Sequence, residues 1–171
     1  MLKNVDWSQI DPEMTDFVLS QSEKYLATQI QTSLAADQRA LTTASIFTTL
    51  GAAILTAAIA YWTIEKNTAV LAAGIAAGVA AVGGALLCLY AARPTDFYFP
   101  GATPEAWVPA LSEPLKTAKG GEIENYQANI DDNDIVLSKN AKALWAGSVI
   151  AASSPAVGGL VWSITVLFFQ A

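Results

Sequence analysis

Asp131-Asp132-Asn133-Asp134 is the densest run of potential metal ligands in this 171-residue chain. A calcium loop of the EF-hand type places oxygen donors at alternate positions and turns sharply at a glycine. Here Ile135 takes the third ligand position and no glycine follows. The three acids therefore read as the solvated face of a helix, and no metal site is expected. Histidine is absent from the chain, which removes His-based triads, imidazole ligands and the usual proton shuttle. Cys88 is the only cysteine. It has no intrachain disulfide partner and no cluster around it, and reads as a small residue facing lipid or a helix. Ser153-Ser154 has no base to activate it, and the glycines match neither a phosphate-binding loop nor a nucleophile elbow. The residues point to no catalytic group, no cofactor and no enzyme.

The elements that hold these residues are apolar. Ala40–Ile64, Asn67–Ala92 and Ala143–Ala171 contain no Asp, Glu, Lys or Arg. Each exceeds the roughly 20 residues that cross a bilayer as a helix. Across the whole chain 53% of residues are hydrophobic and 14% charged, where a soluble domain carries about 25% charged residues. The fold expected is an all-α integral membrane protein. It has three transmembrane helices, an N-terminal juxtamembrane helix and a cytosolic amphipathic helix leading into the third span.

The boundaries follow from composition. Residues 1–39 form a cytosolic N-terminal segment without a signal-peptide pattern, so the first span serves as its own insertion signal. Leu2–Ile10 is mixed and reads as poorly ordered. Asp11-Pro12-Glu13 then reads as a helix start, with Asp at the N-cap and Pro in the first turn. Nothing breaks the pattern before the first span. Residues 40–92 form a two-span hairpin, turned at Glu65-Lys66-Asn67-Thr68. Residues 93–121 hold five of the seven prolines and read as an irregular connector, with Phe97-Tyr98-Phe99 and Trp107 at the membrane interface or on neighbouring helices. Residues 122–142 form an amphipathic helix, with Glu122 and Glu124 suited to its N-terminus. Residues 143–171 form the third span.

Several spacings bear on assembly. Ile123, Tyr126, Ile130, Asn133, Leu137, Asn140 and Leu144 alternate steps of three and four, an a/d seam in which Asn133 and Asn140 would set register or oligomeric state. Gly74 and Gly78 form a GxxxG in the second span, which allows close backbone approach. It reads either as an oligomerisation face or as packing against the first or third span. Span one is rich in threonine (Thr42, Thr43, Thr48, Thr49 and Thr56), whose hydroxyls bond their own backbone or a neighbour. Pro155, followed by Gly158 and Gly159, is expected to kink the third span and offers a gate. No acid or base lies within the spans, which disfavours coupled transport and leaves passive permeation open.

Arg39, Arg93, Lys139 and Lys142 fall on one side of the spans and Lys66 on the other. The positive-inside rule then puts the N-terminus in the cytoplasm and the C-terminus outside the cytoplasmic (inner) membrane. The net charge of −6 argues against nucleic acid, or an anionic lipid surface, as the main partner.

The order of parts resembles the small prokaryotic SLATT-type membrane effectors, in which a helix leads into a two-span hairpin followed by a cytosolic helix. The matching pieces are Asp11–Arg39, the spans joined at Glu65–Thr68, and Glu122–Asn140. The third span is additional to that plan. The resemblance implies an oligomeric, membrane-disrupting effector of antiviral defence, switched by a partner sensor, and carries no site residues. Two functions are thus expected. One is a self-assembling pore or effector subunit in the lipid bilayer, a homo-oligomer with the cytosolic helices as input. The other is an accessory or scaffold subunit bound to a membrane-protein partner.

Overall fold

The computed structural model describes residues 5–169 of the chain. The first residues of the segment expected to be poorly ordered, and the last two of the third apolar run, lie outside the described residues. All regular structure among the described residues is helical: α1 (Pro12–Glu65), α2 (Thr68–Ala91), α3 (Leu115–Ala152) and α4 (Ser154–Phe169), with short 3₁₀ segments at Trp7–Gln9 and Pro104–Ser112. α1 and α2 are long and apolar enough to cross a membrane, and α3 with α4 adds a third such path if that bent pair is one span.

Local chemistry explains the ends. Asp11 caps α1, its carboxylate accepting the Glu13 N–H at 2.7 Å. With neither Gly nor Pro between Pro12 and Gly51, the helix then runs unbroken for 54 residues, roughly 80 Å at about 1.5 Å per residue. It stops at Lys66, whose left-handed backbone (φ 56°) ends the helix in the manner of an αL cap. Asn67 restarts the chain at once. Its side chain accepts from the Ala69 and Val70 N–H groups at 3.0 and 3.2 Å, so the hairpin turn is two residues long. α3 and α4 meet at Ser153 with a bend of 41°. Pro155 cannot donate a backbone hydrogen bond, and its ring crowds the preceding turn, which accounts for the break at the expected place.

One boundary differs from the sequence reading. α3 begins at Leu115, directly after Pro114, and passes through Gly120 and Gly121. Gly120 is not a helix breaker here: a methyl group at its Cα would collide with the Trp7 indole. The glycine gives the aromatic ring a place to rest. Glu122 and Glu124 accordingly lie two turns into the helix rather than at its N-terminus, beyond the reach of the terminal dipole.

The chain divides into two compact units, residues 1–35 with 95–138 and residues 36–94 with 139–171. In the first, the buried side chains are few and partly polar: Thr15, Leu26, Gln29, Ile123, Tyr126 and Asn133. In the second they are almost all small, including Ala44, Ala58, Ala77, Ala81, Cys88 and Ala151. Large apolar residues of the same unit, among them Ile46, Leu50, Leu86, Leu160 and Phe168, face outward. Small-inside and large-outside is the pattern of helices that approach closely and leave their bulky side chains to lipid. It supports membrane insertion of this unit on grounds independent of helix length.

Candidate functional site

The most specific arrangement of polar groups lies in the first unit and centres on Asn133. The seam spacing places this residue on the inner face of α3, where it is fully buried. Its amide nitrogen donates to the Tyr98 carbonyl at 3.1 Å and to the Gln29 side-chain oxygen at 3.2 Å. Its amide oxygen accepts the Tyr98 N–H at 3.0 Å. One side chain thus satisfies both backbone groups of a connector residue that has no helix or sheet to satisfy them. Gln29 of α1 completes the set, donating to the Ile130 carbonyl at 3.2 Å and to the Asp134 carboxylate at 2.7 Å.

A second tie lies nearby in the connector. Gly101, at φ +85°, donates its backbone N–H to the Tyr126 hydroxyl oxygen at 2.8 Å. The positive φ suits glycine, which has no Cβ to oppose it. Burial pushes the Tyr126 hydroxyl above the usual tyrosine range, and the neighbouring Glu122 and Glu23 charges act in the same direction, opposed by the Gly101 hydrogen bond. The N-terminal segment is tied down as well. Trp7 donates its indole N–H to Glu124 at 2.9 Å, Lys116 donates to the Ser8 carbonyl at 2.7 Å, and Lys119 pairs with Asp16 at 2.5 Å. The segment expected to be poorly ordered is therefore held, from Trp7 on, by contacts to residues more than 100 positions away. Sequence reading missed them because a lone Trp and a paired Gly, so far apart, carry no periodic signal.

Asn140, the other seam asparagine, lies in the second unit, is half-buried, and takes no part in this cluster. The glycines of the second span have partners in their own chain. Gly74 lies against Ala58, and Gly78 against Leu55 and the Gly51 carbonyl, so this GxxxG face is occupied by α1. Gly158 approaches Ala77 and the Ala73 carbonyl, Gly159 faces open space, and Pro155 is exposed beside the bend. Cys88 is buried, its sulfur 3.9 Å from the Leu144 carbonyl and 4.0 Å from the Ser148 hydroxyl.

Chemically, the Asn133 cluster can hold a connector; it offers no nucleophile paired with a base. Asp131 and Asp134 line a shallow groove with Gln21, Tyr25, Gln127 and Ile130. Among the described residues no three His, Cys, Asp or Glu converge as a metal site would require. No family model matches the chain, and comparison with curated proteins and with solved structures gives no match.

Proposed function

We propose that this chain is a non-enzymatic membrane protein of the cytoplasmic (inner) membrane that self-assembles through its spans and permeabilises the bilayer, with the cytosolic helical unit as regulatory input. The observation that carries this reading is an uncovered stripe on α1. Thr42, Thr49, Thr56 and Thr63 recur every seven residues with Ser45 and Ala52 between them, and all six are exposed. The four threonine hydroxyls donate to the Gln38, Ser45, Ala52 and Ala60 carbonyls at 2.8, 2.9, 2.9 and 2.6 Å, so the stripe presents small, self-satisfied side chains. A second copy could approach it closely without stranding a polar group. Since Gly74 and Gly78 are covered by α1, this stripe is a small-residue face left to a neighbour. Pro155 and the α3–α4 bend supply a hinge in the third apolar run. The architectural resemblance to SLATT-type effectors agrees with this reading.

The test is mass measurement in mild detergent together with leakage from vesicles. A homo-oligomer that leaks, and that Thr49→Leu/Thr56→Leu reduces to a silent monomer, is the expected result. A wild-type monomer that leaves vesicles intact would sink the proposal. That result would favour the second reading, an accessory or scaffold subunit, which gains support from the intrachain use of Gly74, Gly78 and Asn133.

A further inference from the structure

The net charge of the chain conceals a division. The first unit holds thirteen acidic and four basic residues, a net of −9. The second holds two acidic and five basic residues, a net of +3. Four of those five cations lie at one height of the helix bundle, and the helix register shows why. Gly51 of α1 faces Ala81 of α2. In an antiparallel pair a step up one helix is a step down the other, so twelve residues before Gly51 and twelve after Ala81 bring Arg39 level with Arg93. Cys88 of α2 faces Leu144 and Ser148 of α3. Five residues on from Cys88 and five back along α3 bring Arg93 level with the turn that carries Lys139 and Lys142.

All four are exposed, and the one ion pair among the described residues, Lys119–Asp16, involves none of them. The guanidinium of Arg93 rests on the Tyr90 ring at 3.9 Å. Just towards the apolar spans stand exposed Trp145 (71%) and Tyr90 (52%), the residues that settle at a membrane–water boundary. The acids of this unit do not neutralise the ring: Asp37 pairs with none of the four, and Glu65 sits at the far end of α1 beside Lys66.

We infer that Arg39, Arg93, Lys139 and Lys142 form a cationic collar that binds the phosphates of anionic phospholipid headgroups. The inference rests on the membrane reading above and reverses the expectation drawn from net charge. Four unpaired cations at one level, above an aromatic layer and an apolar surface, meet anionic headgroups at the depth where the phosphates lie. The acidic unit repels such a surface, so lipid preference should be confined to this ring. The far end, where Lys66 adjoins Glu65, has no counterpart.

Native mass spectrometry of the full chain, released from mild detergent with equal amounts of phosphatidylglycerol and phosphatidylcholine, tests it. Phosphatidylglycerol adducts are expected to dominate, and the preference should fall about fivefold for each collar cation removed. The variant Arg39→Gln/Arg93→Gln/Lys139→Gln/Lys142→Gln should bind the two lipids equally, whereas Lys66→Gln keeps the wild-type preference. Should the fourfold variant fail to fold, Arg93→Gln/Lys142→Gln, which retains half of the collar, should show an intermediate preference. Equal binding of both lipids by the wild type, or a preference that survives removal of the collar, overturns the inference. Alkaline carbonate extraction of the wild type separates the two claims. A chain that stays in the membrane without lipid preference loses only the collar; a chain that is extracted loses the membrane reading too.

Discussion

Asn133 is the residue on which the first unit turns. Asn133→Leu nearly preserves volume, so its effect should come from stranded polar groups rather than from a cavity. Both backbone groups of Tyr98 and the Gln29 side-chain oxygen would lose their partner, a cost of about 2–5 kcal/mol by the usual penalty for buried unsatisfied groups. Asn140→Leu, half-exposed and outside the cluster, should stay within about 0.5 kcal/mol of wild type. Thermal unfolding of the two variants in the same detergent separates these outcomes, and equal midpoints would remove Asn133 from the role given to it. Tyr126 makes a pH prediction. Because its folded pKa is raised, it stabilises the fold fully below the ordinary tyrosine pKa of about 10. That contribution disappears as the pH climbs through the folded value. Alkaline titration followed by phenolate absorbance should show one late-ionising tyrosine, absent from Tyr126→Phe, and stability should fall across the same interval. At this scale the sequence was half legible. The spacing of the α3 seam singled out Asn133, but its partners lie 35 and 104 residues away, one in an irregular connector and one on another helix, so what it bonds could not be read.

Among the elements, α2 is the central one, touching α1 through Gly74 and Gly78 and α3 through Gly84 and Cys88. A methyl group at Gly84 would stand 2.5 Å from the Gly147 carbonyl oxygen and 2.7 Å from the Ala151 Cβ. Both neighbours belong to a packed helix and cannot swing away. Gly84→Leu should therefore force α3 off α2 and lower stability by about 3 kcal/mol, the upper end of the usual overpacking cost. Its neighbour Gly83 has open space; Gly83→Leu should be neutral or stabilising by up to about 1 kcal/mol, because it removes a flexible glycine from a helix. Comparison of the two melting temperatures in micelles is the check, and similar losses would mean that the α2–α3 contact is not what glycine serves here. The long elements were readable because charge-free runs and caps are local signals: Asp11, the Lys66-Asn67 turn and Pro155 all act where sequence suggests. The start of α3 was not. Glycines are punctuation to a reader of sequence, and only the distant Trp7 ring shows why Gly120 belongs inside a helix.

For the molecule as a whole, composition announces apolar spans yet averages away the split between an acidic unit and a basic one. That split depends on which distant segments come together, and residues 1–35 join 95–138 only in the folded chain. It also confines any self-association by electrostatics: two copies of a unit carrying −9 repel at low salt, so contact between copies is easier through the charge-poor spans. The same fold leaves one reporter in place. Cys88 is the sole thiol and is fully buried against α3, so no reagent reaches its sulfur until α2 and α3 part. The rate at which the native thiol is alkylated thus times the opening of the bundle, and the protein carries its own clock for that motion without any introduced label.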